Sequence, residues 1–306
     1  MVRIGLYIGG TAPVTEVVER IRWAERAGLD SVFLNQVLGW DALTVATLAL
    51  RETADIEVGT AITHTFARHP IALAQQALTA TALAPNRFTL GIGPSHPHIV
   101  EDAYGLSYER PARHIREYLS ALTPLLRGET TDYRGETLRA AGTIEVAGAT
   151  PPSVVVSALG PAMLKVAGEL ADGSVTTWTT PDIIAEHIGP RLAAAAAAAG
   201  RPTPRTVVVV SAAVTHDPDE LRQELAQALA PASRLPSYRA LLDRQHLTGV
   251  HETALLGSED VVAEGISAYA RAGVTDLIVS VRGDAAAQQR TRELVSAVRR
   301  AAPSAR

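Results

Sequence analysis

Two segments far apart in the chain share a junction: AERAGLDSVFL at Ala24–Leu34 and YARAGVTDLIV at Tyr269–Val279. In each, a helical pattern closes on a glycine suited to the left-handed position past a helix end, and an apolar strand restarts within a few residues. AGELADGSVTTW repeats the idea more loosely. Strands that are continuously apolar need cover on both faces, the condition of a parallel sheet wrapped by helices. The whole chain alternates in this way. Strands are expected at Arg3–Ile8, Ser31–Asn35, Ile56–Thr63 and Phe88–Gly93, then at SVVVSA, SVTTW, TVVVVSAAV and finally Asp276–Val281. Eight strands and about eight helices predict an α/β fold, a (β/α)8 TIM barrel forming one domain over residues 1–306. A doubly wound open sheet is the alternative, but the first strand runs into Gly9-Gly10-Thr11-Ala12-Pro13 and not into G-x-G-x-x-G. Two stretches, Gly128–Pro152 and the region around Pro231–Leu256, exceed ordinary loop lengths and are expected as insertions at the C-terminal mouth.

The composition removes several function classes. The net charge is −4 and no Lys/Arg block stands out, so nucleic acid is not an expected partner. No apolar run approaches the roughly 18 residues of a membrane span. Without cysteine there is no disulfide framework, thiolate metal site or cysteine nucleophile. Met1 leads into IGLYIGG with no basic n-region, so a cytoplasmic location is expected. Lys165 is the only lysine, which leaves little room for lysine-based chemistry.

In a barrel the chemistry sits at the carboxyl ends of the strands. Those ends read Ile8-Gly9-Gly10, Asn35-Gln36, Thr63-His64, Gly93-Pro94-Ser95-His96, Ala158-Leu159-Gly160-Pro161, Trp178-Thr179 and Val281-Arg282-Gly283. The set is polar, glycine-rich and nearly free of carboxylates. A pair of acids for glycoside hydrolysis is not apparent, nor is a carboxylate metal cluster. His96-x-His98 with His64 or His114 is a weak zinc pattern, and no metal is expected. A mouth poor in reactive groups points to a cofactor that carries the chemistry. Gly160-Pro161 opens a helix whose free N–H groups could bind an anion, or Gly160 could simply make a tight turn.

With these segments together, the chain resembles the bacterial luciferase-like monooxygenase superfamily, and within it the deazaflavin (F420)-dependent oxidoreductases. The likeness is carried by FLNQVLGWDALTVATLAL, VGTAITHTFARHPIALAQQALTATALAPNRFTLGIG, GLSYERPARHIREYLSALTPLLRGE, SALGPAMLKVAGELADG and GSEDVVAEGISAYARAGVTDLIVSV. It implies a barrel holding coenzyme F420 in its mouth, the ring near the ends of strands two to four and the phosphate near the fifth helix. A non-proline cis peptide against the ring then falls at Ala61–Ile62. Asn35, Gln36, Gly93, Ser95, His96, Ala158, Leu159, Gly160 and Pro161 complete the implied cofactor contacts. Gly91 and Gly93 would permit close backbone approach, or serve tight packing at the barrel rim. Family members that oxidise sugar phosphates or alcohols place an acidic residue and a histidine at the end of strand two. Here Asn35-Gln36 stands there, which argues against alcohol oxidation by that base; basic residues that would grip a sugar phosphate are also not evident, Lys165 lying well inside a helix, which argues against glucose-6-phosphate.

The expected activity is hydride transfer between reduced F420 and a C=C, C=N or C=O bond of a small organic substrate. His64 is the candidate proton donor, and Trp40 and Trp178 are candidate walls of the substrate pocket. The alternative is an FMN-dependent two-component monooxygenase; a relative that binds flavin without catalysis is the non-enzymatic reading. The resemblance also implies a homodimer, to which Leu43–Leu50 could contribute unless it faces the barrel, and a possible separate F420 or flavin reductase.

Overall fold

The computed structural model describes residues 2–301. Eight parallel strands form the barrel: β1 Arg3–Ile8, β2 Ser31–Leu34, β3 Glu57–Thr60, β4 Phe88–Gly93, β5 Ser153–Ser157, β6 Gly173–Thr177, β7 Arg205–Val214 and β8 Asp276–Val281. Each pairs with the next, and β8 closes on β1 through Arg3↔Asp276 to Leu6↔Val279. The expected (β/α)8 barrel is the fold observed.

Strand alternation sorts the side chains into two cores. Outward residues such as Leu34, Val58, Leu90, Val156, Val208 and Leu277 pack under the helices, together with α1 (Val14–Arg26), α2 (Ala42–Glu52) and α3 (Pro70–Leu83). Inward residues form a separate cluster of Phe33, Val155, Val175, Val207, Val209 and Ile278, with Tyr7, Ala61 and Ile62 against it. Each such buried side chain contributes about 1.5–3 kcal/mol. Of the apolar stretch Leu43–Leu50, Leu43, Val45, Ala46, Ala49 and Leu50 are buried in the chain's own core, and Leu48 is exposed.

Below the apolar layer the barrel is closed by charge. Arg205 bonds Asp276 at 2.8 Å, Glu57 at 3.0 Å, Thr89 Oγ1 at 2.9 Å and Ser153 Oγ at 3.3 Å, while Arg3 bonds Glu57 at 2.6 Å and Asp276 at 3.1 Å. All of these sit at the amino ends of the strands, the face of a barrel that serves stability.

Two local expectations are corrected. Strand three is not continuous over Ile56–Thr63: β3 ends at Thr60, the Ala61–Ile62 bond is cis, and Thr63–His64 resumes pairing with Ile92 and Gly93 of β4. Gly128–Pro152 contains an antiparallel hairpin, Thr131–Arg134 with Arg139–Gly142. It leaves the far end of α4 (Pro111–Leu126) and folds back along that helix, where the Glu117 carboxylate accepts from Thr137 N at 2.7 Å and Glu136 N at 3.2 Å. It therefore covers α4 from outside, entering from the amino-end face of the barrel, and its tip reaches the mouth end of the helices, where Glu136 pairs with Arg110 and the Arg139 carbonyl meets His69 Nε2 at 2.8 Å. The second excursion reaches the mouth, through the helix Pro236–Arg244. A further cover has no counterpart in the sequence pattern: a π-helical turn, His98–Ala103, follows β4.

Candidate active site at the barrel mouth

Strand alternation carries the inward column of each strand up to the mouth. There it presents Tyr7 and Gly9, Asn35, Ala61, Gly93, Ser157, Thr177, Ser211, Ser280 and Arg282. Most are small, so the floor is open above Phe33 and Val155. Glycine is needed at two places in this column. A Cβ on Gly91 would fall onto the Thr60 carbonyl oxygen, and one on Gly93 would strike Ser157 Oγ and, at 2.9 Å, Ile62 Cδ1. Gly91 thus serves strand-to-strand packing, and Gly93 lets β4 pass beneath the Ala61–Ile62 turn.

The rim is set by capping and by ion pairs. Asp41 caps α2, accepting from Thr44 N at 2.8 Å, and also accepts from Arg68 Nη2 at 2.5 Å. The pair ties the loop after β2, with Gln36 and Trp40, to the loop after His64. Tyr108 Oη donates to the Ser95 carbonyl at 2.9 Å, holding Ser95 at φ 65°, a left-handed conformation that costs a non-glycine residue. Trp178 is also left-handed, at φ 57°. Its ring meets Tyr238 edge-on at 4.5 Å, and Gln245 Nε2 donates to its carbonyl at 3.2 Å. Tyr238 in turn lies 5.4 Å from the His96 ring. The excursion after β7 therefore forms one wall of the mouth, and Trp178 belongs to that wall. Trp40 packs against the main core instead, with its Nε1 buried and unpaired.

His64 is buried to 6% exposure between these loops. Burial and the nearby His96 ring push its pKa down to about 4, with a contact to the Gln36 backbone opposing them. It is neutral at pH 7, and its Nδ1 has no hydrogen-bond partner. His96 is lowered by burial and by His98, which is exposed and stacked 5.8 Å from it. His114, absent from the implied cofactor set, is pushed down to about 4 by burial; it stacks on Phe66 at 3.9 Å and bonds Thr65 Oγ1 at 3.0 Å. No group of three metal-ligating side chains is present among the described residues.

These rings make stability depend on pH. The unfolded chain takes up their protons near pH 6.5 and the folded chain only near pH 4. Their contribution is thus complete above about pH 6.5 and is lost as the pH falls toward 4, on the order of 2 kcal/mol for each ring. Urea melts are expected to show a lower midpoint at pH 5 than at pH 7. An unchanged midpoint would mean that the rings are solvated.

Across the mouth, the helix Pro161–Leu170 begins after β5 at Gly160, with no side-chain cap and open space above the glycine. Ala158 is buried, Leu159 is half-buried, and Gly160 and Pro161 are exposed at this end. The arrangement therefore offers a floor of small residues, buried unpaired polar atoms at the rim (Gln36 Oε1 and His64 Nδ1), and an uncapped helix start. A flat, polar-edged ring with an anionic tail fits it. The strand-end pattern does not single out Tyr7, Ser157, Tyr238 or the role of Arg282. For three of these, strand alternation counted inward from Arg3, Ser153 and Asp276 is the available signal; for Tyr238 there is none. A separate groove of about 530 Å³ lies outside the barrel wall, between α1 and the helix Ala285–Ala301.

Among curated proteins, the chain is 27% identical over 221 residues to 5,10-methylenetetrahydromethanopterin reductase of Methanolobus tindarius, covering 72% of this chain and 67% of that one. It is 28% identical over 298 residues to F420-dependent glucose-6-phosphate dehydrogenase of Rhodococcus erythropolis, covering 88% of each. In structure it superposes on an F420-dependent secondary alcohol dehydrogenase with TM-score 0.84 at 16% identity over 99% of both chains. It also superposes on the FMN-bound oxygenating constituent of 3,6-diketocamphane monooxygenase from Pseudomonas putida, with TM-score 0.76 at 18% identity over 97% of both. The family model described as luciferase-like monooxygenase matches residues 1–276, so the chain belongs to the luciferase-like monooxygenase family.

Proposed function

We propose that this protein is an F420-dependent oxidoreductase that transfers a hydride between reduced coenzyme F420 and a C=C, C=N or C=O bond of a small organic substrate. The observation that carries the reading is the chemistry of the mouth: its inward positions supply hydroxyls, amides, glycine backbone and one arginine, but no carboxylate and no lysine. Such a site binds and orients, and leaves electron transfer to a cofactor. The F420-dependent relatives support F420 in that role. When bound, F420 supplies the hydride. Asn35, Gln36, Ala61, Ile62, Gly93, Ser95 and His96 would hold its ring, and the amides that follow Gly160 and Pro161 would hold its phosphate.

His64 would act as a neutral imidazole. With a pKa of about 4 it holds no extra proton at pH 7, so it would place a hydrogen bond on the heteroatom that gathers negative charge as the hydride adds to carbon, and the proton that completes the reduction would come from solvent. Trp178 and Tyr238 exclude water from one side. A homodimer and a separate reductase that recycles the cofactor belong to the same proposal. The second reading, an FMN-dependent monooxygenase, is supported by the likeness in fold to the FMN-bound oxygenating protein.

Parallel titration with F420 and FMN, followed by tryptophan fluorescence, separates the two. Micromolar or tighter F420 binding, with FMN at least tenfold weaker, is expected. The reverse preference with oxygen consumption would replace this reading by the second.

A further inference from the structure

Arg282 is the one inward cation at the top of the barrel among the described residues. It continues the column Asp276, Ile278, Ser280 one step beyond the end of β8. Its side chain's only hydrogen bond to the described residues runs from Nε to Ser211 Oγ at 3.2 Å. No carboxylate lies within ion-pair distance among the described residues, and its terminal nitrogens are neither bonded nor sealed from solvent. At the opposite end of the same barrel, Arg205 is held by two carboxylates and two hydroxyls. Arg68, Arg201 and Arg299, also partly buried, each have an aspartate. A half-buried guanidinium without an anion is unfavourable for the folded chain, and an anion brought by a ligand removes that cost.

The neighbours define the ligand. Tyr7 stands beside Arg282 and shares the space over Gly9 with Asn35: the Tyr7 phenol is raised by burial, and Asn35 and the Arg282 charge oppose that rise. One planar fork flanked by a phenol and a hydroxyl matches a single carboxylate, bound bidentately. A phosphate dianion would ask for a second cation or a helix start, and the uncapped start after β5 lies across the barrel from β8. We propose that Arg282, with Tyr7 and Ser211, binds a carboxylate carried by the substrate and so selects unsaturated carboxylic acids or their close analogues. This rests on the reading of the mouth as the F420 site, because only then does the carboxylate lie beside the bond to be reduced.

The test uses sodium crotonate and crotonamide as matched probes, titrated into the full chain with and without F420. The proteins are wild type, Arg282→Gln and Arg282→Lys. Wild type is expected to bind crotonate at least tenfold more tightly than crotonamide. Arg282→Gln should lose tenfold or more in crotonate affinity, Arg282→Lys should recover part of it, and F420 affinity should stay within twofold in both. Without ligand, Arg282→Gln should melt no lower than wild type, because it removes an unpaired charge. Equal binding of the two probes, unchanged crotonate binding in Arg282→Gln, or inorganic phosphate bound more tightly than crotonate through Arg282 would overturn the assignment. So would loss of F420 affinity in Arg282→Gln, which would give the arginine to the cofactor. If wild type binds crotonate through Arg282 but not F420, the cofactor reading fails and the carboxylate site stands.

Discussion

Arg205→Met is expected to lower the free energy of unfolding by about 3–5 kcal/mol, the usual cost of stripping the partner from buried charge. Asp276 has a side chain 1% exposed and Glu57 one 13% exposed, and the only cation either would keep is Arg3, whose own side chain is 40% exposed, beside the hydroxyls of Thr275 and Thr89. The hydroxyls of Thr89 and Ser153 would lose their donor as well. Urea unfolding measures the loss, and an Asp276→Asn, Arg205→Met double variant should recover part of it, since the stranded carboxylate is then gone. A single-variant cost below about 1 kcal/mol would show that water reaches the network.

His64→Ala is expected to lower kcat by about 100-fold, the scale of one hydrogen bond formed to a developing charge, with F420 affinity changed less than threefold. A panel of enones, imines and ketones supplies the acceptor for the measurement. The pH profile provides a second readout. A group that titrates near 4 produces no step in kcat between pH 6 and 8. A wild-type step near pH 6.5 that vanishes in His64→Ala would show that the ring works as a charged acid and not as a neutral imidazole. A kcat unchanged in the variant would remove His64 from the chemistry altogether.

The strands and helices were legible because burial on both faces imposes a simple pattern. Val207, Val208, Val209 and Val210 are apolar without alternation, since one face meets the barrel interior and the other the helices. Residues 28 and 273 are glycines because the chain takes φ of 80° and 88° there. The position of the cis bond at Ala61–Ile62 also agrees with the family resemblance. The wall built by Tyr238 was not legible. That residue lies 142 positions from His96, and nothing local to Pro236–Arg244 says which face of the barrel it will cover. The hairpin Thr131–Gly142 emerges from the amino-end face and reaches the mouth only at its tip, because loop length does not reveal on which end of the barrel a connection emerges.

By itself the sequence determined the periodicities, the barrel they require and a set of strand ends poor in carboxylates, because these depend on each residue's neighbours along the chain. Only the tertiary structure decided what each polar group can do. It holds His64 neutral by closing loops over it, matches Arg205 with two carboxylates, and leaves Arg282 with none among the described residues. Charge, burial and partners are set by residues that closure of the barrel brings together from distant parts of the chain, such as Arg3 and Asp276, 273 positions apart.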